Sequence, residues 1–348
     1  MDQDKIYYDG TKLLSMLDIN GKTPEIYLCT SNRTAGKTTY FARLLINLFK
    51  KSGKKFVVLY RFNYELDDVA DKFFKDVHEL FFPADVLTSK SKAHGIYHEL
   101  FLNNVSCGYA LSLNAADQIK RYSHLFSDSD SIFFDEFQSE NNHYCDHEIR
   151  KFQSIHTSLA RGKGKQTRYL PVYMCSNTVS ILNPYYTALG IAQRLNKTTK
   201  FLRGNGWILE QGHNEHAAKA LIDSGFNKAF SDADNYTDYA AQGVYLNDNH
   251  AFIEKPVGTG RYLATLKYKN KEYGIREYAQ AGVIYCDNHP DITFNYKISV
   301  TTDDHAINYV MLRRNDLFLS QMRYYFEKGA FRFKDLACKE AILKSLSY

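Results

Sequence analysis

Ser31-Asn32-Arg33-Thr34-Ala35-Gly36-Lys37-Thr38 is the stretch whose reading decides the fold. The residues before it, Ile26-Tyr27-Leu28-Cys29, form an apolar run that reads as a buried strand. From Thr38 to about Lys51, Phe41, Leu44, Leu45, Leu48 and Phe49 recur at helical spacing. Strand, loop ending in Gly-Lys-Thr, then helix is the context a Walker A phosphate loop requires. There the backbone N–H groups point at a phosphate, and the helix dipole favours its negative charge. The candidate nucleotide-binding residues are therefore Ser31, Asn32, Arg33, Thr34, Ala35, Gly36, Lys37, Thr38 and Thr39. Lys37 is placed to reach the β and γ phosphates of ATP, and the Thr38 hydroxyl to ligate Mg²⁺. Ser31 stands where the pattern has its first glycine, so the loop is expected to be slightly wider or less free.

A second site strengthens this. Ser131-Ile132-Phe133-Phe134-Asp135-Glu136-Phe137 runs from small and apolar residues into adjacent acids. It reads as a buried strand whose C-terminal end emerges at the sheet edge, where α/β proteins place ligands. Asp135 is the candidate Mg²⁺ aspartate, acting through water, and Glu136 the candidate catalytic glutamate that polarises the attacking water. An exposed strand end with an acidic turn is the plainer alternative, and it loses once paired with Walker A upstream. The acid directly after the Mg²⁺ aspartate points to ATP hydrolysis driving a machine rather than to phosphoryl transfer.

At 348 residues the chain suggests two domains with a sizeable core. Its 27 Tyr and 23 Phe against one Trp suit an α/β core with a β-rich second part. No apolar run approaches the roughly 18 residues of a membrane span, and the first ten residues do not resemble a signal peptide. Cys29, Cys107, Cys145, Cys175, Cys286 and Cys338 lack CxxC spacing, which points to reduced thiols in a cytosol. His143, Cys145 and His147 invite a zinc reading, a weak one without a second cluster. Residues 311–348 hold eight Lys/Arg against four acids and so carry +4 of the +5 net charge. Arg313, Arg314 and Arg323 in this segment are candidate phosphate-backbone contacts, against the plainer alternative of a solvated basic helix face.

Alternation of strands and helices over 1–211 predicts a parallel sheet covered on both faces. Strands are expected at 56–60 and 169–175, helices at 63–80, 115–125 and 146–161, and a hairpin turning at Asn103-Asn104. Residues 212–247 are polar and read as a linker subdomain. From 248 a small α+β domain is expected, with a three-stranded meander at 260–268, 272–278 and 282–287. Thr301-Thr302-Asp303-Asp304 resembles a helix start, and the last 45 residues read as helix interrupted at Gly329.

With these residues in hand, the chain resembles the DNA-packaging ATPases of small podophages, terminase large-subunit-like motors that work with a packaging RNA. The resemblance rests on the Gly36-Lys37-Thr38 loop and on Ile132-Phe133-Phe134-Asp135-Glu136-Phe137. It rests more specifically on Ser176-Asn177-Thr178-Val179-Ser180-Ile181-Leu182-Asn183-Pro184-Tyr185, on Phe252-Ile253-Glu254-Lys255, and on Thr301-Thr302-Asp303-Asp304. It implies an ASCE-type P-loop ATPase domain (1–211), a linker (212–247) and an RNase H-like C-terminal domain (248–348). It also implies a homo-oligomeric ring, a pentamer, that docks on a procapsid portal with its packaging RNA and threads double-stranded DNA. Such a motor works in the host cytoplasm, transiently at the portal vertex, and is absent from the mature virion. Carried onto this sequence, Arg33 is the Walker A basic residue, Ser176 and Asn177 end the sensing strand, and Arg161 is the trans-acting arginine finger. Arg161 sits in Arg161-Gly162-Lys163-Gly164, where a guanidinium beside glycines can approach a neighbouring subunit's γ-phosphate. Arg168 and Arg121 compete for that role, and an ordinary surface arginine is the plainer reading.

RNase H ancestry calls for an aspartate in the middle of the first meander strand. Arg261-Tyr262-Leu263-Ala264-Thr265-Leu266-Lys267-Tyr268 has no acid, although Asp287, Asp303 and Asp304 remain. Two-metal hydrolysis needs carboxylates converging on both ions, so the nuclease is expected to be vestigial. The rival readings are a complete terminase that cuts DNA, and a P-loop kinase or helicase-like ATPase unrelated to packaging.

Overall fold

The computed structural model describes residues 7–67, 69–141, 143–162, 164–181, 183–192, 194–195, 199–229, 252–313 and 315–346. The chain divides into two compact units, Met1–Thr178 with Lys200–Val244, and Val179–Thr199 with Tyr245–Tyr348. The second unit thus takes in a stretch that the sequence reading kept with the first. Half of the segment read as a linker subdomain (212–247), its residues 230–247, lies outside the described residues; the earlier half holds helices Glu215–Asp223 and Gly225–Ala229.

The first unit is built on nine strands: β1 (Ile26–Ser31), β2 (Lys55–Tyr60), β3 (Leu87–Lys92), β4 (Tyr97–Leu102), β5 (Val105–Ser112), β6 (Ser129–Asp135), β7 (Val172–Asn177), β8 (Phe201–Gly204) and β9 (Trp207–Gln211). They lie in the order β3-β4-β5-β2-β6-β7-β1-β9-β8. From β5 to β9 every neighbouring pair is parallel, while β3, β4 and β8 are added antiparallel at the edges. The parallel centre explains the uninterrupted apolar runs of β1, β2 and β6, because strands covered on both faces have no polar side. The expected α/β P-loop fold is what forms. β7 lies between β1 and β6, so the ends of the two motif strands are bridged by Ser176 and Asn177.

Helix Lys37–Ser52 covers one face. Its buried stripe is Phe41, Ala42, Leu45 and Ile46, turned slightly from the expected one, with Leu44 and Phe49 only partly buried. Phe41 stacks on Phe133 of β6 and Tyr173 of β7, with ring centroids 5.8 and 5.5 Å apart. Deleting such a fully buried ring costs about 3–5 kcal/mol, so this contact fixes the helix, and the loop before it, on the sheet. The β4–β5 hairpin turns at Asn103 and Asn104, both at positive φ (50° and 65°), a conformation that asparagine tolerates. The helix expected near 115–125 is mostly 3₁₀, with a single α-turn at Ala116–Ile119.

The second unit contains β10 (Phe252–Ile253), β11 (Arg261–Tyr268), β12 (Lys271–Tyr278), β13 (Val283–Asp287), β14 (Lys297–Ser299), β15 (Val310–Met311) and β16 (Phe331–Phe333). Their order is β10-β16-β13-β12-β11-β14-β15. The meander β11-β12-β13 forms as expected, antiparallel throughout. Thr301–Asp304 corrects the sequence reading: it is a turn rather than a helix start. The Thr301 hydroxyl donates to Asp304 Oδ2 at 2.7 Å, and Asp304 Oδ1 accepts the Asn270 N–H at 3.1 Å. The acid therefore ties two turns together, and the chain continues into β15. The tail breaks around Gly329 as expected, with helices Leu317–Glu327 and Leu336–Leu346 on either side, and the break holds β16, which the sequence reading did not include. Among the described residues no helix is long and apolar enough to cross a membrane, and all six cysteines are free and buried.

Candidate nucleotide site and the end of the meander

β1 delivers the chain to a loop that Gly36 closes. Gly36 is the N-cap of helix Lys37–Ser52 at φ 89°, and an added Cβ would sit 2.9 Å from the Tyr7 ring. Glycine is required there for both reasons. The loop opens on a cavity of about 530 Å³ lined by Arg33, Thr34, Ala35, Gly36, Lys37, Thr38 and Thr39 on one side and by Asp135, Glu136, Ser176 and Asn177 on the other. That volume lies within the range that holds a small-molecule ligand. Tyr7, Glu79 and Leu80 complete its rim; no spacing pattern points to them, because they come from the N-terminal segment and from helix Val69–Phe81.

Lys37 is buried, and its ammonium donates to four neutral oxygens: Ser31 Oγ at 2.9 Å, Asn32 O at 3.0 Å, Asn177 Oδ1 at 3.3 Å and Ser31 O at 3.4 Å. Burial lowers its pKa below the usual lysine value. A buried cation surrounded by hydrogen-bonding dipoles favours an arriving anion, and the helix N-terminus beside it is suited to a phosphate. The departure at Ser31 thereby acquires a physical role: the residue that replaces glycine supplies the hydroxyl that receives Lys37. Ser31 and Asn32 themselves stand behind the loop. Asn32 exchanges two hydrogen bonds with the backbone of Asn214, at 2.9 and 3.0 Å, which locks β1 to the start of helix Glu215–Asp223.

The Thr38 hydroxyl donates to Asp135 Oδ2 at 2.8 Å. Hydroxyl and carboxylate oxygens are the ligand types that Mg²⁺ takes, and here two of them meet at the cavity wall. The second oxygen of Asp135 accepts from the Cys175 thiol at 2.9 Å and from the Glu136 N–H at 2.9 Å. Burial keeps Cys175 well above the usual thiol pKa, so it remains a donor. Glu136 is held at φ 53°, a left-handed conformation that costs a non-glycine residue on the order of 1 kcal/mol. Desolvation raises its carboxyl pKa, with Asp135, Glu140 and Glu65 adding repulsion and Arg33 opposing them. A carboxyl with its pKa raised is better suited to accepting a proton than an unperturbed one. Arg33 pairs with Glu140, a residue that the sequence reading did not name.

Arg161 is elsewhere in the same unit. It is exposed, and an added Cβ on the next residue, Gly162, would lie 2.8 Å from Ser127 Cβ, just before the first residue of β6. Asp135 ends that strand, and seven residues span about 20 Å. Arg168 donates to the carbonyls of Ser127, Ser129 and Leu159 and so braces the same loop; Arg121 is exposed. The residues weighed for zinc have other partners: the His143 ring stacks on Phe62 at 4.7 Å, and the Cys145 thiol donates to Arg61 O at 3.3 Å.

In the second unit, Thr265, Gly274 and Asp287 lie in register across β11, β12 and β13. Thr265 shares a 2.7 Å hydrogen bond with Tyr262 Oη. The Arg276 guanidinium lies 4.9 Å from the centre of the Tyr262 ring. It pairs with Asp287 and donates to His289 O at 2.8 Å. Gly274 is what admits it, since an added Cβ would lie 2.8 Å from Arg276 Nη1. Of the candidate basic contacts, Arg313 is exposed, Arg323 donates to Leu346 O at 2.7 Å, and Arg314 lies outside the described residues.

Comparison with known proteins places the whole chain. The DNA packaging proteins of Bacillus phages PZA and phi29 are each 22% identical over 347 residues, covering 99% of this chain and 96% of theirs. The fold is shared with a solved bacteriophage Phi-29 viral genome packaging motor assembly, at a TM-score of 0.60 and 21% identity, with 96% of each chain covered. The family model for podovirus DNA encapsidation protein (Gp16) matches residues 1–346, and the chain belongs to that family.

Proposed function

We propose that this protein hydrolyses ATP at the Lys37–Asp135–Glu136 cavity and uses the cycle to drive viral double-stranded DNA into a procapsid. The observation that carries the reading is the 2.8 Å contact between Thr38 and Asp135 beside the buried Lys37, which joins the two motif strands at one cavity. Lys37 and Arg33 bind the phosphates, and Glu136 orients and deprotonates the attacking water. Thr38 and Asp135 hold Mg²⁺, which offsets phosphate charge when bound. Asn177, already bonded to Lys37, and Ser176 sense the γ-phosphate from β7.

Arg161 serves a neighbouring subunit's phosphate in a homo-oligomeric ring, a pentamer. Its place at the far end of β6 supports action in trans, because it is remote from its own cavity. The ring works in the host cytoplasm at the procapsid portal, with a packaging RNA as a further partner, and leaves before the virion matures. The second unit is RNase H-like and does not cleave DNA. The order β13-β12-β11-β14-β15 supports the first statement. The second is supported by Arg276, two residues along β12, whose guanidinium reaches over Gly274 and pairs with Asp287, placing a cation where two metals need carboxylates.

ATP turnover of purified protein, with and without procapsids and double-stranded DNA, tests the reading. Stimulation by both is expected, and turnover indifferent to both contradicts a packaging role. Mixing Arg161→Ala with Glu136→Gln subunits is expected to restore part of the activity. No rescue in rings containing both would count against a finger acting in trans.

A further inference from the structure

Cys175 is fully buried in β7, and no step of the proposed cycle uses it. It lies in register with Asp135 of β6, the last pair of that parallel ladder, and with Cys29 of β1 on its other side. Register neighbours on adjacent strands share a face, so the thiol stands beside the Asp135 carboxylate. Its Sγ donates to Asp135 Oδ1 at 2.9 Å, and the Glu136 N–H donates to the same oxygen at 2.9 Å. The other oxygen, Oδ2, accepts from the Thr38 hydroxyl at 2.8 Å. The carboxylate is therefore divided. One oxygen is filled by two donors of the strand ends, and the other is left toward Thr38 and the cavity.

We infer that Cys175 is a positioning residue that confines Asp135 to offering a single oxygen to a cation, and so favours Mg²⁺ over larger ions. This rests on Thr38 and Asp135 being the metal ligands. Hydrogen bonds to a ligating carboxylate fix its rotation and decide which oxygen it offers. Mg²⁺ demands octahedral geometry with oxygens at about 2.0–2.1 Å, and one carboxylate oxygen suits it. Ca²⁺ takes more ligands, at about 2.3–2.6 Å, and accepts both oxygens of one carboxylate. With Oδ1 already accepting from the thiol and the N–H, that second mode is closed. Losing the thiol leaves Oδ1 a single donor, which frees the carboxylate to turn about its Cβ–Cγ bond and present both oxygens. Cysteine meets both demands of this place: it packs as a small apolar side chain in a covered strand, and its S–H still donates.

The test uses the full chain and reads metal dependence directly. ADP binding is measured by calorimetry in EDTA and over a range of Mg²⁺ or Ca²⁺ concentrations, for wild type, Cys175→Ala and Cys175→Ser. Cys175→Ala is expected to bind ADP in EDTA within about twofold of wild type but to need about tenfold more Mg²⁺, the scale expected for a lost partner of a metal ligand. Its preference is expected to move from Mg²⁺ toward Ca²⁺. Cys175→Ser keeps a donor in nearly the same place and is expected to behave as wild type. If Cys175→Ala fails to fold, Cys175→Val refills the space without a donor and takes its place. A donor-less variant with the Mg²⁺ requirement and ion preference of wild type overturns the inference. So does a loss of equal size in EDTA, which a merely loosened core would give, or a serine variant as impaired as the alanine one. Asp135→Asn is the control: an unchanged Mg²⁺ dependence there refutes the metal assignment on which the inference rests.

Discussion

Asp135 ends β6 and Asp287 ends β13, and the two strand-end aspartates have opposite surroundings. Asp135 receives only neutral donors, the Thr38 hydroxyl, the Cys175 thiol and the Glu136 N–H, at the wall of a cavity of about 530 Å³. Asp287 receives the Arg276 guanidinium and the His289 N–H. The first meets neutral donors at a cavity wall, whereas the second is paired with a guanidinium of the protein. A carboxylate at a strand end is thus neutral as a signal, and what faces it decides whether it works on a ligand or braces the fold.

The largest expected contrast comes from removing each site's charge. Lys37→Ala is expected to reduce ATP hydrolysis by at least about 10²–10³-fold, and chelating Mg²⁺ to stop it reversibly. Asp287→Asn is expected to leave turnover within twofold. It strands Arg276, whose side chain is 19% exposed, so its effect is a loss of stability of about 2–3 kcal/mol, discounted for partial exposure and read by thermal or urea unfolding. A large fall in turnover with Asp287→Asn would break the comparison.

The comparison is also open to a chemical test. Supercoiled plasmid incubated with the purified protein and Mn²⁺ is expected to stay intact. Cleavage that vanishes in Asp287→Asn or Asp303→Asn would mean that the second unit keeps a working metal site. A smaller effect concerns pH. The charge on Glu140 raises the Glu136 pKa, so Glu140→Gln lowers it. Glu136 must be ionised to act as a base, and the acid limb of kcat is expected to move to lower pH. A shift to higher pH would show that the limb reports another group.

The Walker loop and the meander were legible for concrete reasons. Gly36-Lys37-Thr38 after an apolar strand has one common structural use, and the 261–287 strands alternate between short polar turns such as Lys269-Asn270. What escaped had weaker local signals. β3 (Leu87-Thr88-Ser89-Lys90-Ser91-Lys92) is a polar edge strand, and β14, β15 and β16 have two or three residues each, held by neighbours rather than by pattern. Thr301–Asp304 carries a helix-cap composition that is spent on a turn bound to Asn270. At the site, Lys37, Thr38, Asp135 and Glu136 could be read because each lies in a motif. The Cys175–Asp135 contact spans 40 positions and becomes visible only when β6 and β7 pair.

Glu136→Gln tests the central claim most directly, since it changes one oxygen to nitrogen and leaves the turn in place. Equilibrium ATP binding and single-turnover hydrolysis are measured on the same preparation, with procapsids and double-stranded DNA present. ATP affinity within a few-fold of wild type, with hydrolysis slowed about 10²–10⁴-fold, is the predicted result. Hydrolysis at a near wild-type rate would contradict it and remove Glu136 from the chemistry.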